Sequence, residues 1–290
     1  MSSVYEVITS RIIEQLQKGV APWHKPWRVR GKNGFPRSLV TGREYRGVNV
    51  WVLLSGGYSS PFWLTYRQAR ELDGRVRQGE HGYPVVYWKF GKREIQDGDQ
   101  LIEKPSVLVR YYTVFNVEQC ERLRIQPPDP IKDESQPEPI EACEQVVSAW
   151  SAKPTIKHGT DQASYHKVLD CIEMPDRACF DSAAEYSNTL FHELVHSTGH
   201  PSRLNRSSLT EFERFGDECY SREELVAEMG AAFLAGYCGI DGKTLANSAS
   251  YLANWLQALR NDSRMVVVAG SQAQKATDLI LNVAPALTTP

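Results

Sequence analysis

The sequence predicts an α+β protein in two domains, a mixed α/β domain followed by a mainly helical domain with a small sheet. Three observations lead there. The stretch Gln126-Pro-Pro-Asp-Pro-Ile-Lys-Asp-Glu-Ser-Gln-Pro-Glu-Pro139 is dominated by proline and acid, has nothing to pack, and reads as a linker. Before it, two runs at 85–90 and 107–115 are rich in β-branched and aromatic residues and read as strands. After it, helical periodicity dominates. The expected division is 1–126, 127–139 and 140–290, and a chain of 290 residues is comfortable for two cores.

The elements follow in order. Val4, Ile8, Ile12 and Leu16 fall on one side of an amphipathic helix over 1–18. A loop rich in tryptophan and base, Trp23-His-Lys-Pro-Trp27, comes next. Thr65-Tyr-Arg-Gln68 has the spacing of a capping box and opens a short helix to about Leu72. A turn from Gly79 to Gly82 leads into the first strand. Gly98 lies in a polar loop between the two strands, which can then pair as a hairpin. The second domain starts with a helix near 140–150, then strand-like segments at 155–157 and 165–172. Ser182-Ala-Ala-Glu185 is a second capping-box pattern. The helix it opens buries Leu190, Phe191, Leu194 and Val195 and ends at Gly199 and Pro201. A loop over 202–220 precedes a long helix carrying Leu225, Val226, Met229, Ala232 and Phe233. Segments 246–260 and 273–281 read as further helices of a bundle. No internal repeat is visible.

Composition excludes several classes. No apolar run approaches the ~18 residues of a membrane span, so no membrane partner is expected. The first residues lack the layout of a signal peptide, which points to the cytoplasm. Six scattered cysteines (Cys120, Cys143, Cys171, Cys179, Cys219 and Cys238) form no Cys-x-x-Cys pair and read as reduced thiols. The net charge of −2 conceals an asymmetry. Residues 1–127 carry 20 Lys+Arg against 12 Asp+Glu, whereas residues 128–290 carry 13 against 23. A basic front half suits a polyanion.

That front half also interleaves aromatic and basic residues, the combination that stacks bases and meets phosphates of single-stranded nucleic acid. No duplex-reading helix or zinc finger is evident. The candidate contacts are Trp23, Lys25, Trp27, Arg28, Arg43, Arg46, Arg67, Arg70 and Lys89. About half of the aromatic residues are expected in the core, Trp88 and Tyr111 first among them.

The most specific signal is His192-Glu-Leu-Val-His196. Two histidines four apart on a helix present both imidazoles to one ion, and Glu193 between them is free to carry a proton. A catalytic zinc takes three protein ligands and keeps one position open. Ser202 stands where a third histidine would follow, and His200 is out of register, so the third ligand is expected to be a glutamate. Glu224 and Glu228 are one turn apart on one face of the next helix. Their spacing resembles the Glu-x-x-x-Asp/Glu pair of thermolysin-like and related membrane-associated zinc peptidases. That resemblance makes Glu224 the ligand and Glu228 the partner of a ligand histidine. Ser221 and Glu224 also have capping-box spacing, which would leave Glu228 to bind the metal. Glu223 is expected to face solvent, and Tyr220 to pack. The strand near 165–174 reads as a core strand that could also flank an extended substrate. Zinc is the expected ion, with Mn2+ or Co2+ as substitutes. Zinc polarises a carbonyl and acidifies water, and Glu193 would take the water's proton in peptide hydrolysis.

Over nearly the full chain the layout resembles ArdC-type antirestriction proteins of conjugative plasmids. The resemblance is carried by Ala21-Pro-Trp-His-Lys-Pro-Trp27, Tyr45-Arg-Gly-Val-Asn49, Trp63-Leu-Thr-Tyr66 and Gly79-Glu-His-Gly82 in front. Behind, it is carried by His192-Glu-Leu-Val-His-Ser-Thr-Gly-His-Pro-Ser-Arg-Leu204 and Glu223-Glu-Leu-Val-Ala-Glu-Met-Gly-Ala-Ala-Phe233. The front segments are also similar to those of plasmid TraC-type primases. The resemblance implies a single-stranded DNA-binding domain joined to a zincin-like metallopeptidase domain. It further implies protection of incoming plasmid DNA from host restriction during conjugation, and a protein substrate that is a host restriction or DNA-processing protein. Two rival readings keep the same residues: a DNA-shielding protein braced by a structural metal, and a DNA-recruited repair-type peptidase.

Overall fold

Ser3 and Glu6 start the first helix. In the computed structural model, which describes residues 3–23, 34–97, 100–124, 137–210, 218–240 and 249–284, the Ser3 hydroxyl accepts from the Glu6 amide at 3.2 Å. The Glu6 carboxylate accepts from the Ser3 amide at 2.7 Å. This reciprocal cap satisfies two amides that no helical carbonyl reaches and begins α1 (Val4–Gln17). Ile8, Ile12 and Leu16 are buried along the face that their spacing defines.

The rest of the front half is β1 (Arg37–Ser38), α2 (Val48–Leu54), β2 (Phe62–Leu64), α3 (Tyr66–Glu71), β3 (Arg75–Val76), β4 (Tyr83–Asp97), β5 (Gln100–Asn116) and β6 (Cys120–Glu121). The box at Thr65 and Gln68 caps α3 as its spacing predicts. One sheet has the order β1-β2-β5-β4, and β3 pairs with β6. β4 and β5 form an antiparallel ribbon from Tyr83↔Val114 to Asp97↔Gln100. Both strands run further than the β-rich runs predict, because backbone pairing carries on through the polar ends.

The back half holds α4 (Pro139–Ala149), β7 (Thr155–His158), β8 (Ser164–His166), β9 (Cys171–Met174), α5 (Ala183–Ser197), α6 (Ser207–Thr210), α7 (Glu218–Cys238), α8 (Ala249–Asn261) and α9 (Met265–Ile280). The sheet order is β7-β9-β8. The single strand expected over 165–172 is two, separated by a turn in which Asp170 takes φ 46°. Ser182 caps α5 by accepting from the Glu185 amide at 3.1 Å, while the Glu185 carboxylate takes the Asp181 amide at 2.9 Å. α7 begins at Glu218, so Ser221 lies within the helix and is not its cap. Of the expected linker, residues 127–136 lie outside the described residues, and Pro139 is in the first turn of α4, where its missing N–H costs nothing.

Packing crosses the linker. Buried residues of α1 and α2 and those of α5, α7 and α9 form one hydrophobic cluster. The Trp51 ring stacks on Phe233 of α7 at 4.5 Å. The Gly47 amide donates to Gln274 Oε1 at 3.1 Å, and Arg46 pairs with Asp278. α7 is buried on most of its circumference, which explains why its apolar residues mark no single stripe. The tryptophans sort differently from the sequence expectation. Trp23, Trp51 and Trp63 are buried, whereas Trp88 and Tyr111, expected in the core, are exposed on the ribbon. Strand pattern alone does not tell where a ribbon leaves the body that buries its faces. Among the described residues no helix is long and apolar enough to cross a membrane, and Cys120, Cys143, Cys171, Cys179 and Cys238 form no disulfide.

Gly270 shows how close the two halves lie, since a Cβ there would stand 2.7 Å from the backbone nitrogen of Val48. Gly270→Val is expected to force α9 off α2 and to destabilise by about 1–3 kcal/mol. Calorimetry should show one transition moved to lower temperature; a second transition, with the first unmoved, would mean the two halves unfold independently.

Candidate metal centre

Helix α5 places His192 and His196 one turn apart on the side that faces α7. The approach of the two helices is set by Gly230 of α7. A Cβ there would lie 2.7 Å from a Val195 methyl, closer than a stiff β-branched side chain tolerates. The near contact brings Glu223, Glu224 and Glu228 to the imidazoles. Glu224 Oε2 stands 3.5 Å from His192 Nε2, and Glu224 Oε1 stands 3.4 Å from His196 Nε2. The two Nε2 atoms are 3.0 Å apart. One donor atom from each of the three residues lies within 4.8 Å of the others. Four ligands at the usual zinc distances sit at tetrahedral separations of roughly 3.3 Å, so these spacings suit one small divalent ion. Glu193 follows His192 on the same helix and is buried with it.

Two further carboxylates address the outer nitrogens of the rings. Glu223 Oε1 is 3.3 Å from His196 Nδ1, and Glu228 Oε1 is 4.0 Å from His192 Nδ1. The expectation that Glu223 faces solvent is therefore corrected: it is 1% exposed. Arg206 Nε donates to Glu223 Oε2 at 3.1 Å, and the Ser208 hydroxyl donates to the same oxygen at 2.6 Å. Neither partner is adjacent in sequence, Arg206 coming from the turn after α5 and Ser208 from α6, so helical spacing carried no sign of them. Glu228 is buried beside His192, but at 4.0 Å its Oε1 is beyond hydrogen-bond reach of that ring's Nδ1. Between Glu224 and Glu228, the three-residue cluster includes Glu224.

The electrostatics fit a cation. Glu193, Glu223, Glu224 and Glu228 surround two imidazoles, and Arg206 contributes one positive charge. Burial opposes charge on every group. It lifts the Glu223 carboxyl, but the hydrogen bonds from His196 and Arg206 outweigh it and bring Glu223 down to about 2. Glu224 is likewise held below the ordinary carboxylate range by both imidazoles despite its burial. Burial lowers the two histidines, yet the surrounding carboxylates win and raise both.

Comparison with known proteins agrees with this arrangement. A family model described as a zincin-like metallopeptidase matches residues 141–272, and one for the N-terminal domain of the anti-restriction factor ArdC matches residues 2–115. The metal-free crystal structure of the antirestriction ArdC protein from plasmid R388 superposes with a TM-score of 0.74 and 37% identity, covering 97% of this chain and 98% of that one. The chain belongs to the ArdC antirestriction family. The Mn(II)-bound structure of the R388 ArdC protein gives a TM-score of 0.72 at 36% identity, over 99% of this chain and all of that one. A DNA primase TraC of Escherichia coli is 36% identical over 296 residues, and the chain spans only 27% of its length. The uncharacterised protein y4eC of Sinorhizobium fredii (strain NBRC 101917 / NGR234) is 35% identical over 288 residues, 91% of its length.

In this member of the ArdC family the described residues among those proposed from sequence to contact DNA lie on different elements. Lys25, Trp27 and Arg28 lie outside the described residues. Trp23 is 1% exposed and meets Trp255 edge to face, so neither of its faces is open to a base. Arg43 is exposed. Arg46 is half-exposed and paired with Asp278. Arg67 and Arg70 are exposed on α3, where Arg67 pairs with Glu71. Lys89 is exposed on the ribbon. By register it shares a face with Tyr87, Arg110 and Tyr112, and the Tyr87 and Tyr112 rings are 5.7 Å apart.

Two measurements check this site. Protons compete with the ion for the raised histidines, so metal affinity should climb as pH rises through and above the ordinary histidine range. A pH-independent affinity between about 5.5 and 8 would rule out imidazole ligation. In metal-free protein the depressed Glu223 contributes stability above the ordinary carboxylate range, and that contribution is lost as pH falls towards about 2. Glu223→Gln should flatten this acid limb of the denaturation profile; an unaltered limb would mean that Glu223 is not the titrating group.

Proposed function

We propose that the chain is a DNA-associated, metal-dependent hydrolase of proteins that acts in antirestriction. The observation that carries it is the cluster of His192, His196 and Glu224 with Glu193 buried beside it. Zinc is the proposed ion on the chemistry of two imidazoles and a carboxylate, with Mn2+ or Co2+ able to replace it. The Mn(II)-bound R388 relative supports a divalent ion in this fold.

His192, His196 and Glu224 would hold the ion, which supplies Lewis acidity to a substrate carbonyl and acidifies water. Glu223 would keep the His196 imidazole in the tautomer that turns its Nε2 lone pair inward, and Glu228 would place a carboxylate beside the outer nitrogen of His192. Glu193 would take a proton from water and deliver it to the leaving amine. Low exposure around these groups strengthens each charge interaction.

The front half would hold single-stranded DNA on the ribbon face of Tyr87, Lys89, Arg110 and Tyr112. Open aromatic rings beside cations support that reading. Incoming DNA would then bring the hydrolase to restriction or DNA-processing proteins acting on it. A second reading, DNA shielding with an ion that only braces the fold, has support in α7. That helix carries both the site's carboxylates and Phe233 stacked on Trp51.

Two experiments test these readings, the first deciding between them and the second placing the DNA. Glu193→Ala should abolish cleavage of a purified restriction endonuclease by metal-loaded protein, a loss of about 10²–10⁴-fold, and should abolish plasmid protection in a restricting host. Full protection by that variant would decide for shielding. Tyr87→Ala should weaken single-stranded DNA binding by about 1–3 kcal/mol, as expected for one stacking ring. Unchanged binding would remove the ribbon from the DNA path.

A further inference from the structure

The turn region that follows α5 carries Arg206, buried and surrounded by acceptors that no sequence motif assigns to it. Its guanidinium touches three parts of the structure at once. Nη2 donates to the carbonyls of Val195 at 2.8 Å and His196 at 3.3 Å, near the C-terminal end of α5. Nη1 donates to the Thr198 hydroxyl. Nε and Nη2 form a fork onto the two oxygens of Glu223, across on α7. Glu223 in turn stands against His196 Nδ1.

We infer that Arg206 is a positioning residue for the metal centre, acting on the ion through Glu223 and His196. The physical reasons are three. A planar fork fixes the carboxylate plane, which a point charge does not. With both Glu223 oxygens occupied, the carboxylate keeps Oε1 at the ring and cannot rotate towards the ion to compete with Glu224. The same cation sits among carbonyls at the helix end that carries His196, where a positive charge is favoured, so α5 and α7 are tied together at the depth of the ligands. Ser208 assists by donating to Glu223 Oε2, the oxygen that also accepts from Arg206 Nε.

This inference rests on the metal-centre reading, and a suitable control keeps the two apart. Arg203 anchors the same turn: it donates to the Ser197 carbonyl at 2.7 Å and pairs with Asp170, but it does not meet Glu223. The experiment is chelator-competition titration with zinc and with manganese on the full chain, beside thermal denaturation of each metal-free variant. The variants are Arg206→Lys, Arg203→Lys, Glu223→Gln and the double variant Arg206→Lys/Glu223→Gln.

Arg206→Lys and Glu223→Gln are each expected to weaken metal binding by about 10–100-fold. The double variant should lose no more than the larger single loss, because both act through one contact. Arg203→Lys should lower the melting temperature with wild-type metal affinity. Arg206→Lys with wild-type affinity, multiplying losses in the double variant, or an equal affinity loss in Arg203→Lys would each overturn the inference while leaving the metal centre standing. No metal binding by the unaltered chain would overturn both.

Discussion

The structure turns on the contact between α5 and α7. Where Gly230 lets the helices close on Val195, two imidazoles from one helix meet three carboxylates from the other at low exposure. So many acidic groups cannot share a dry space without positive charge, since like charges at a few ångströms repel strongly where water is excluded. Arg206 supplies one unit of it. A divalent ion would satisfy the same demand with better geometry. The site is thus defined as much by its charge balance as by the motif that first marks it.

The same α7 joins that centre to the front of the molecule. Its N-terminal turns hold the carboxylates, and further along Phe233 lies against Trp51 of α2. From α2, the Asn49 amide exchanges two hydrogen bonds with the backbone of Val86, at 2.8 and 2.7 Å, where the ribbon leaves the body. Two segments that appear as separate family matches therefore share one buried cluster. A proline-rich stretch between them separates them in sequence without separating their cores.

Much of this was legible in the residues, and the failures have physical causes. The paired histidines, the Thr65 cap, the hairpin and the order of helices rest on short-range rules, and local spacing is enough to read them. Glu223 was misread because it lies off the face that Glu224 and Glu228 share, while its burial depends on Arg206 and Ser208 arriving from elsewhere in the chain. Ser221 was offered as a cap because spacing cannot show that the helix starts a turn earlier. Three aromatic residues were sorted the wrong way round: Trp23 lies in the core, and Trp88 and Tyr111 on the surface. Which part of a hairpin rests on the body is a tertiary matter, invisible to alternation along a strand. Arg110, on the face with Tyr87 and Tyr112, was found only through register.

The central claim is that one divalent ion belongs between α5 and α7. Anomalous diffraction from crystals grown with zinc, collected on both sides of the zinc absorption edge, tests it most directly. A single strong peak is expected about 2 Å from His192 Nε2, His196 Nε2 and a Glu224 oxygen. A peak bound elsewhere, or none at this cluster at full zinc occupancy of the solution, would contradict it.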